Sequence, residues 1–364
     1  MAKKIKTIGV MTGGGDCPGL NAVIRAVAKT AITEHNLNVV GIHDGFLGLI
    51  ENNLTPLSYD DVSGILTRGG TILGSSNKAN PNKFAVEVNG VKKFKNVSRQ
   101  CVKHAKDAGI EAIVCIGGDG TMSGAAGMVK HGLDFIGVPK TIDNDLWGTD
   151  VTFGFDTAVT TATEAVDKIH TTAASHSRVM IVEVMGRYAG WIALHAGVAG
   201  GADIILMPEM PYQLDKICKY IEQRKAYGRN YTIIVAAEGA KCKGGQMVVH
   251  KVDKFSPDPI RLGGVANKIA ADIEAAAGID CRATVLGHVQ RGGMPSPHDR
   301  TLATVFGHFA LEQLVAGKRN RVVVMKNNEL TTVALSQVAN KVRTVPKNYR
   351  LVKAAKAVGT SFGI

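Results

Sequence analysis

Between Pro139 and Asp150 the chain reads PKTIDNDLWGTD, which sets three carboxylates, Asp143, Asp145 and Asp150, beside Lys140 and the polar side chains of Thr141, Asn144 and Thr149. Two carboxylates two residues apart in a short polar loop cannot both point into a core. Next to a cation, such a group can serve as a general base or as a ligand for a hard metal ion. A phosphate site nearby would make the chemistry phosphoryl transfer.

Two glycine loops supply candidates for that site. The apolar run Ile8 to Thr12 enters Gly13-Gly14-Gly15-Asp16, followed by Pro18-Gly19-Leu20-Asn21 and an apolar helical pattern from Ala22 to Ala31. Ala112 to Ile116 enters Gly117-Gly118-Asp119-Gly120-Thr121, followed by a helix of small residues around Ser123 to Val129. Strand, glycine turn and helix N-terminus together favour anions, because backbone N–H groups approach oxygen closely and the helix dipole attracts negative charge. A glycine turn after a strand is also a structural necessity in many α/β proteins. The weight therefore rests on both loops together with the aspartate loop.

The elements that must position these residues alternate. Strands are predicted near 5–11, 38–43, 112–116, 134–138, 179–184, 203–207, 231–237 and 283–287. Helices are predicted near 20–35, 98–108, 122–131, 156–174, 189–200, 213–227, 262–277 and 299–315. The alternation implies an α/β fold of mostly parallel sheets covered on both faces, in two blocks that divide near about residue 150. With 364 residues and a 45% apolar fraction, the chain can fill two cores.

Further strand ends carry cations. Ser175-His176-Ser177-Arg178 precedes one strand, Met185-Gly186-Arg187 follows it, and Cys281-Arg282 leads towards Gly287-His288-Val289-Gln290-Arg291. Arginine beside glycine can grip phosphate oxygens in a bidentate fork, which points to a sugar-phosphate pocket. Each arginine could equally be a surface or interface ion pair.

The formal charge of +12 raises the question of nucleic acid, but the basic residues are spread along the chain and no aromatic-interleaved basic patch appears. Six Lys or Arg and no acid between Lys341 and Lys356 read as a solvated surface. Neither nucleic acid nor membrane is an expected partner, since no run of eighteen apolar residues occurs. The six cysteines lack CxxC or Cys/His spacing, so reduced thiols and a cytoplasmic location are expected.

TGGGDCPGLNAVIR, IGGDGT, PKTIDND, VEVMGRYAG, GGADIILMPE and LGHVQRGG, in that order, make the stretch from about 5 to 315 resemble the 6-phosphofructokinases. The resemblance implies two doubly wound, mostly parallel α/β domains with the active site in the cleft between them, and phosphorylation of the 1-hydroxyl of fructose 6-phosphate with Mg²⁺. Asp143 matches the base, Thr141 and Asp145 lie at the reacting groups, and Arg187 with Gly15 faces the phosphoryl in transit. Asp119 matches the metal-associated aspartate. The donor would meet Gly14, Gly15, Asn77, Lys78, Gly118, Asp119, Gly120, Thr121, Gly124 and Lys140. The sugar phosphate would meet Thr141, Asp143, Arg178, Met185, Gly186, Arg187, Glu238, Arg282, His288 and Arg291. Arg178 and Arg282 reach from a neighbouring subunit in the family, which implies a homo-oligomer, a tetramer by analogy. The implied division assigns residues 1–154 with about 290–340 to the donor domain, and 155–289 with about 341–364 to the sugar-phosphate domain.

Two positions disagree about the donor. Gly120 is as in ATP users, and Lys140 is as in pyrophosphate users. Gly120 leaves room for a nucleotide α-phosphate, whereas a lysine can move aside, so ATP is the reading and pyrophosphate the alternative. Diacylglycerol and NAD kinases share GGDGT but leave TIDND, MGRYAG and HVQRGG unexplained. A non-catalytic subunit would be expected to have lost Asp143, Asp119 or Arg187. The segment from about 240 to 262 and the tail beyond 316 carry no legible motif.

Overall fold

The computed structural model describes residues 5–256 and 258–364. The first half builds β1 (Thr7–Thr12), α1 (Leu20–Thr33), β2 (Asn38–Ile42), α2 (Phe46–Glu51), β3 (Leu54–Leu57), β4 (Phe84–Val88), β5 (Val91–Lys95) and α3 (Ser98–Asp107). It continues through β6 (Ala112–Gly117), α4 (Asp119–Val129), β7 (Asp134–Pro139) and the long α5 (Phe155–His176). The second half builds β8 (Val179–Val184), α6 (Trp191–Ala199), β9 (Ile204–Leu206), α7 (Leu214–Ala226), β10 (Thr232–Ala237), β11 (Val249–Val252), β12 (Ile260–Leu262) and α8 (Val265–Ala277). After these come β13 (Cys281–Val285), α9 (Pro297–Val315), β14 (Arg321–Lys326), β15 (Glu329–Ala334), α10 (Leu335–Val338) and α11 (Arg350–Ala357).

The seven-stranded sheet has the order β15-β14-β7-β6-β1-β2-β3. Its five inner strands are parallel and its two edge strands antiparallel. A second, four-stranded parallel sheet has the order β13-β8-β10-β9. β6, β8 and β10 are buried at every position, as mostly apolar strands covered on both faces must be, and the one carboxylate among them, Glu183 of β8, accepts from the Gly264 and Ala266 N–H groups. One apolar cluster runs from Ile8 and Val10 through Ala158 and Phe306 to Val182 and Val235, so both sheets share it. After α9 the chain returns to the first sheet as β14 and β15, then pairs Ser361 with Ile204 at the edge of the second.

The eight predicted strands all form, but the alternation misses several elements. β14 and β15 extend the first sheet, and the two antiparallel hairpins β4–β5 and β11–β12 stand apart from both sheets. The hairpins touch through Phe94 and Phe255, whose ring centroids lie 5.7 Å apart. Short, largely exposed strands such as these carry no buried face and hence no strong pattern. Within the segment from about 240 to 262, unreadable in sequence, Val249–Val252 and Ile260–Leu262 pair as a hairpin that meets the β4–β5 hairpin.

Candidate active site

In parallel α/β sheets, ligand sites form beyond the carboxyl ends of the strands, where the loops converge. Here β1 runs into Gly13–Gly15, β6 into Gly118, β7 into Lys140, β8 into Met185 and β10 into Glu238. A cleft of about 390 Å³, within the range of small-molecule sites, is lined by Gly14, Gly15, Asn77, Gly118, Asp119, Gly120, Thr121, Lys140, Thr141, Asp143, Asp145, Arg187 and Arg291. Thirteen residues singled out from the sequence thus meet in one place.

Backbone geometry makes the glycine loop. Gly14 sits at φ +83°, in the left-handed region, and a Cβ on Gly15 would press on the Arg291 guanidinium and push it aside. That arginine donates from Nη1 to Asp16 O at 2.9 Å, while its buried Nε has no partner among the described residues. Lys140, only 4% exposed, donates from Nζ to Gly15 O at 2.7 Å and so ties the aspartate loop to the glycine loop. Burial pushes its ammonium below the ordinary lysine value.

Asp143 is buried. Its N–H donates to Thr141 Oγ1 at 3.1 Å, and its Oδ1 has no hydrogen-bond partner among the described residues. A buried carboxylate oxygen without a partner is costly, and a substrate hydroxyl would satisfy it. Asp145 remains partly open to the cleft, yet burial first, then the charges of Asp143 and Asp119, push its carboxyl well above the usual range. Arg187 sits at φ +49° and pairs through Nη1 with Asp258 Oδ2 at 2.7 Å. Burial works against its charge, but the carboxylates of Asp143, Asp258, Asp119 and Asp145 outweigh that and hold it above its ordinary value.

Glu238 Oε1 accepts from the Arg187 backbone N–H at 3.0 Å, and burial, foremost, lifts its carboxyl to about 7. Met185 and Gly186, both buried, precede Arg187 in the same loop. These three, with exposed His288, lie off the cleft lining. Lys78 faces an adjoining groove with Asp16 and Gly70, and lies 3.9 Å from Asp253. Gly124 lies one turn into α4, where a Cβ would come within 2.6 Å of the Phe46 ring; its bareness lets Phe46 reach the cleft wall.

Arg178 and Arg282 are not brought to this cleft. Arg178 stands just before β8 and Arg282 at the start of β13, whereas Met185 and His288 follow the far ends of those strands. Both arginines pair with Asp280. The cleft also takes in residues without a sequence signal: Tyr188 and Asp258 beside Arg187, Ser123 on α4, and Asn340 and Val342 from the tail. Asp258 and Asn340 follow no glycine motif; only the return of distant chain to the cleft identifies them.

Three carboxylates facing one cleft, beside a base-competent buried oxygen and an arginine, suit a hard cation bound together with phosphates. Magnesium is commonly held by one or two carboxylates and completed by substrate oxygens, so no closed protein cage is needed. Among the described residues the one cluster of three metal-competent side chains within mutual reach is Glu34, His308 and Glu312, remote in sequence from the aspartate loop. No helix among the described residues is long and apolar enough to cross a membrane.

The family model described as Phosphofructokinase matches residues 7–314. ATP-dependent 6-phosphofructokinase 2 of Clostridium perfringens is 51% identical over 364 residues, covering all of both chains. Pyrophosphate–fructose 6-phosphate 1-phosphotransferase of Amycolatopsis methanolica is 47% identical over 93% of this chain and 96% of that one. The solved phosphofructokinase of Saccharomyces cerevisiae superposes with a TM-score of 0.76 at 32% identity. It covers 98% of this chain, which spans 46% of the yeast chain's length.

Proposed function

Because the chain belongs to the phosphofructokinase family, we propose that it transfers the terminal phosphoryl group of ATP to the 1-hydroxyl of fructose 6-phosphate, the committing step of glycolysis. The observation that carries this reading is the convergence of Asp143, Asp119, Asp145 and Arg187 with both glycine loops in one cleft.

Asp143, buried with one oxygen unpartnered among the described residues, takes the proton of the 1-hydroxyl as the sugar oxygen attacks phosphorus. The new O–P bond forms as the bond from phosphorus to the bridging oxygen breaks, and ADP leaves with that electron pair. An alcohol is a poor nucleophile until its proton has an acceptor, and the loose transition state otherwise needs positioning and charge neutralisation. Arg187 faces the phosphoryl in transit once its pairing with Asp258 is exchanged for phosphate. Thr141 and the Gly15 loop orient the transferring group, and Arg291 receives the sugar 6-phosphate. Magnesium, when bound, neutralises charge on the donor phosphates, and Asp119 is the residue that would hold it. Glu238, Met185 and Gly186, just behind the lining in the loops that carry Arg187, would border the sugar on that side.

The placement of Arg178 and Arg282 away from the cleft-facing strand ends supports a shared site, in which each would serve a neighbouring subunit's sugar phosphate. By analogy with the family we read the assembly as a homotetramer and its location as the cytoplasm, with the donor domain made of 1–154 and about 290–340, and the sugar domain of 155–289 and about 341–364.

Gly120 supports ATP, since no described residue comes within 4 Å of where its Cβ would be and the nucleotide can pass. Lys140 supports a second reading, pyrophosphate as donor in a reversible reaction, as does the likeness to the Amycolatopsis enzyme. The test is the initial rate of fructose 1,6-bisphosphate formation with fructose 6-phosphate, Mg²⁺ and either ATP or pyrophosphate as sole donor. Turnover with ATP alone sustains the proposal, and turnover with pyrophosphate alone replaces the donor.

A further inference from the structure

The tail segment from Asn340 to Val345 is the part of the cleft region for which the sequence offers no role, and its contacts with the aspartate loop are specific. Arg343 donates its backbone N–H to Asp145 O at 2.7 Å, while its guanidinium donates from Nη2 and Nε to Asn144 O at 2.9 and 3.2 Å. One residue earlier, Val342 bridges antiparallel to Leu146. Asn144 is the residue between the two cleft aspartates, and at φ +50° its backbone leaves the regular strand path. Its carbonyl therefore finds no partner in a sheet or helix ladder, and a planar two-pronged donor from the tail supplies one.

The other side of Arg343 is anchored to α6. Its guanidinium lies over the Trp191 ring, 4.2 Å from the centroid, and its own carbonyl accepts from Trp191 Nε1 at 3.0 Å. Glu209 Oε1 accepts from Val345 N–H at 2.8 Å and from Gly190 N–H at 2.9 Å, at the entry to the same helix. Trp191 is 2% exposed and begins α6, at the end of the loop that carries Arg187. A chain of hydrogen bonds and stacking thus runs from the peptide between Asp143 and Asp145 to the element that follows the phosphoryl-facing arginine.

We infer that Arg343 is a positioning residue for phosphoryl transfer, holding the Asn144 peptide so that Asp143 and Asp145 keep their aim relative to Arg187. It acts through the loop and does not line the cleft. The inference rests on the reading of Asp143 as the base, and it assigns to the C-terminal segment a part in the reaction itself. Small displacements of a reacting group are costly in rate, while ground-state binding through the glycine loops and Arg291 is left in place.

The test compares full-length protein with R343M and R343K in the donor-dependent assay, with kcat normalised to sites that bind fructose 6-phosphate. For R343M, kcat is expected to fall about tenfold or more while both KM values stay within about threefold. R343K, which can make one bond to Asn144 O but cannot stack as a plane, should fall between. A merely structural arginine would lower the melting temperature and the number of binding sites, with kcat per site within about twofold; that result in the variants that fold overturns the inference. If R343M does not fold, R343K decides by the same criterion. Failure of the unaltered protein to turn over either donor would instead remove the reaction on which the inference rests.

Discussion

Arg187 Nη1 and Asp258 Oδ2 lie 2.7 Å apart in the wall of the cleft, so the cation assigned to the phosphoryl group already holds a carboxylate from the β11–β12 hairpin. A phosphoryl oxygen must displace that carboxylate. Both side chains are about one-third exposed, which limits the pair to under about 1 kcal/mol. D258N should therefore lower the donor KM by about two- to fivefold, with little change in melting temperature. Steady-state kinetics on the variant check this, and a raised KM would mean that Asp258 assists binding instead.

Asp143 carries a buried oxygen without a hydrogen-bond partner among the described residues, a cost that the fold bears for the sake of a site. D143S should reduce kcat about 10²–10⁴-fold, the usual contribution of a general base. Fructose 6-phosphate should still bind, measured by calorimetry, and the melting temperature should not fall. Activity within tenfold of the unaltered protein would remove Asp143 as the base.

The reach of sequence reading follows from where the signal lies. Strands β1, β6 and β7 are largely apolar, and the glycine loops and TIDND stand directly at their ends, so the alternation marks these loops while the family resemblance joins them into one site. Asp258, Asn340 and Arg343 sit in a hairpin and a tail whose neighbours are set by tertiary contact, and no local pattern reports such a contact. The basic run from Lys341 to Lys356 reads as a solvated face. It conceals Arg343, which is tied to Trp191 and Asn144, whereas Lys341 and Lys356 of the same run lie more loosely over the Trp147 and Phe362 rings. Lys140 shows the converse: the sequence marks it as a donor ligand, and the structure adds that its ammonium already bonds Gly15 O.

Gly120 is the second residue of α4, and no described residue lies within 4 Å of where its Cβ would project. An aspartate there meets no steric obstacle in the free protein and suits the first turn of a helix, so G120D should melt close to the unaltered protein. Its carboxylate would stand beside the donor phosphates and repel them. The ATP KM should rise about tenfold or more, with pyrophosphate, the smaller donor, affected less. An unchanged ATP KM would show that the nucleotide does not pass this position.

Glu238 is raised from an ordinary value of 4.5 to about 7, by burial first, with Asp143 and Glu183 adding to it and the Arg187 N–H bond and charge opposing. Between those values the folded protein holds a proton that the unfolded chain has released, so stability falls as pH rises through that window. The contribution is full below about 4.5 and lost once pH passes about 7. E238Q has no such proton and keeps an oxygen to accept from Arg187 N–H. Its melting temperature relative to the unaltered protein should therefore climb by roughly a few degrees between pH 4.5 and 8. Thermal melts across that range read the gap directly, with Asp145 and the other carboxyls common to both proteins. A gap that stays constant with pH would show that Glu238 ionises like a solvent-exposed carboxylate and is already charged where the sugar binds.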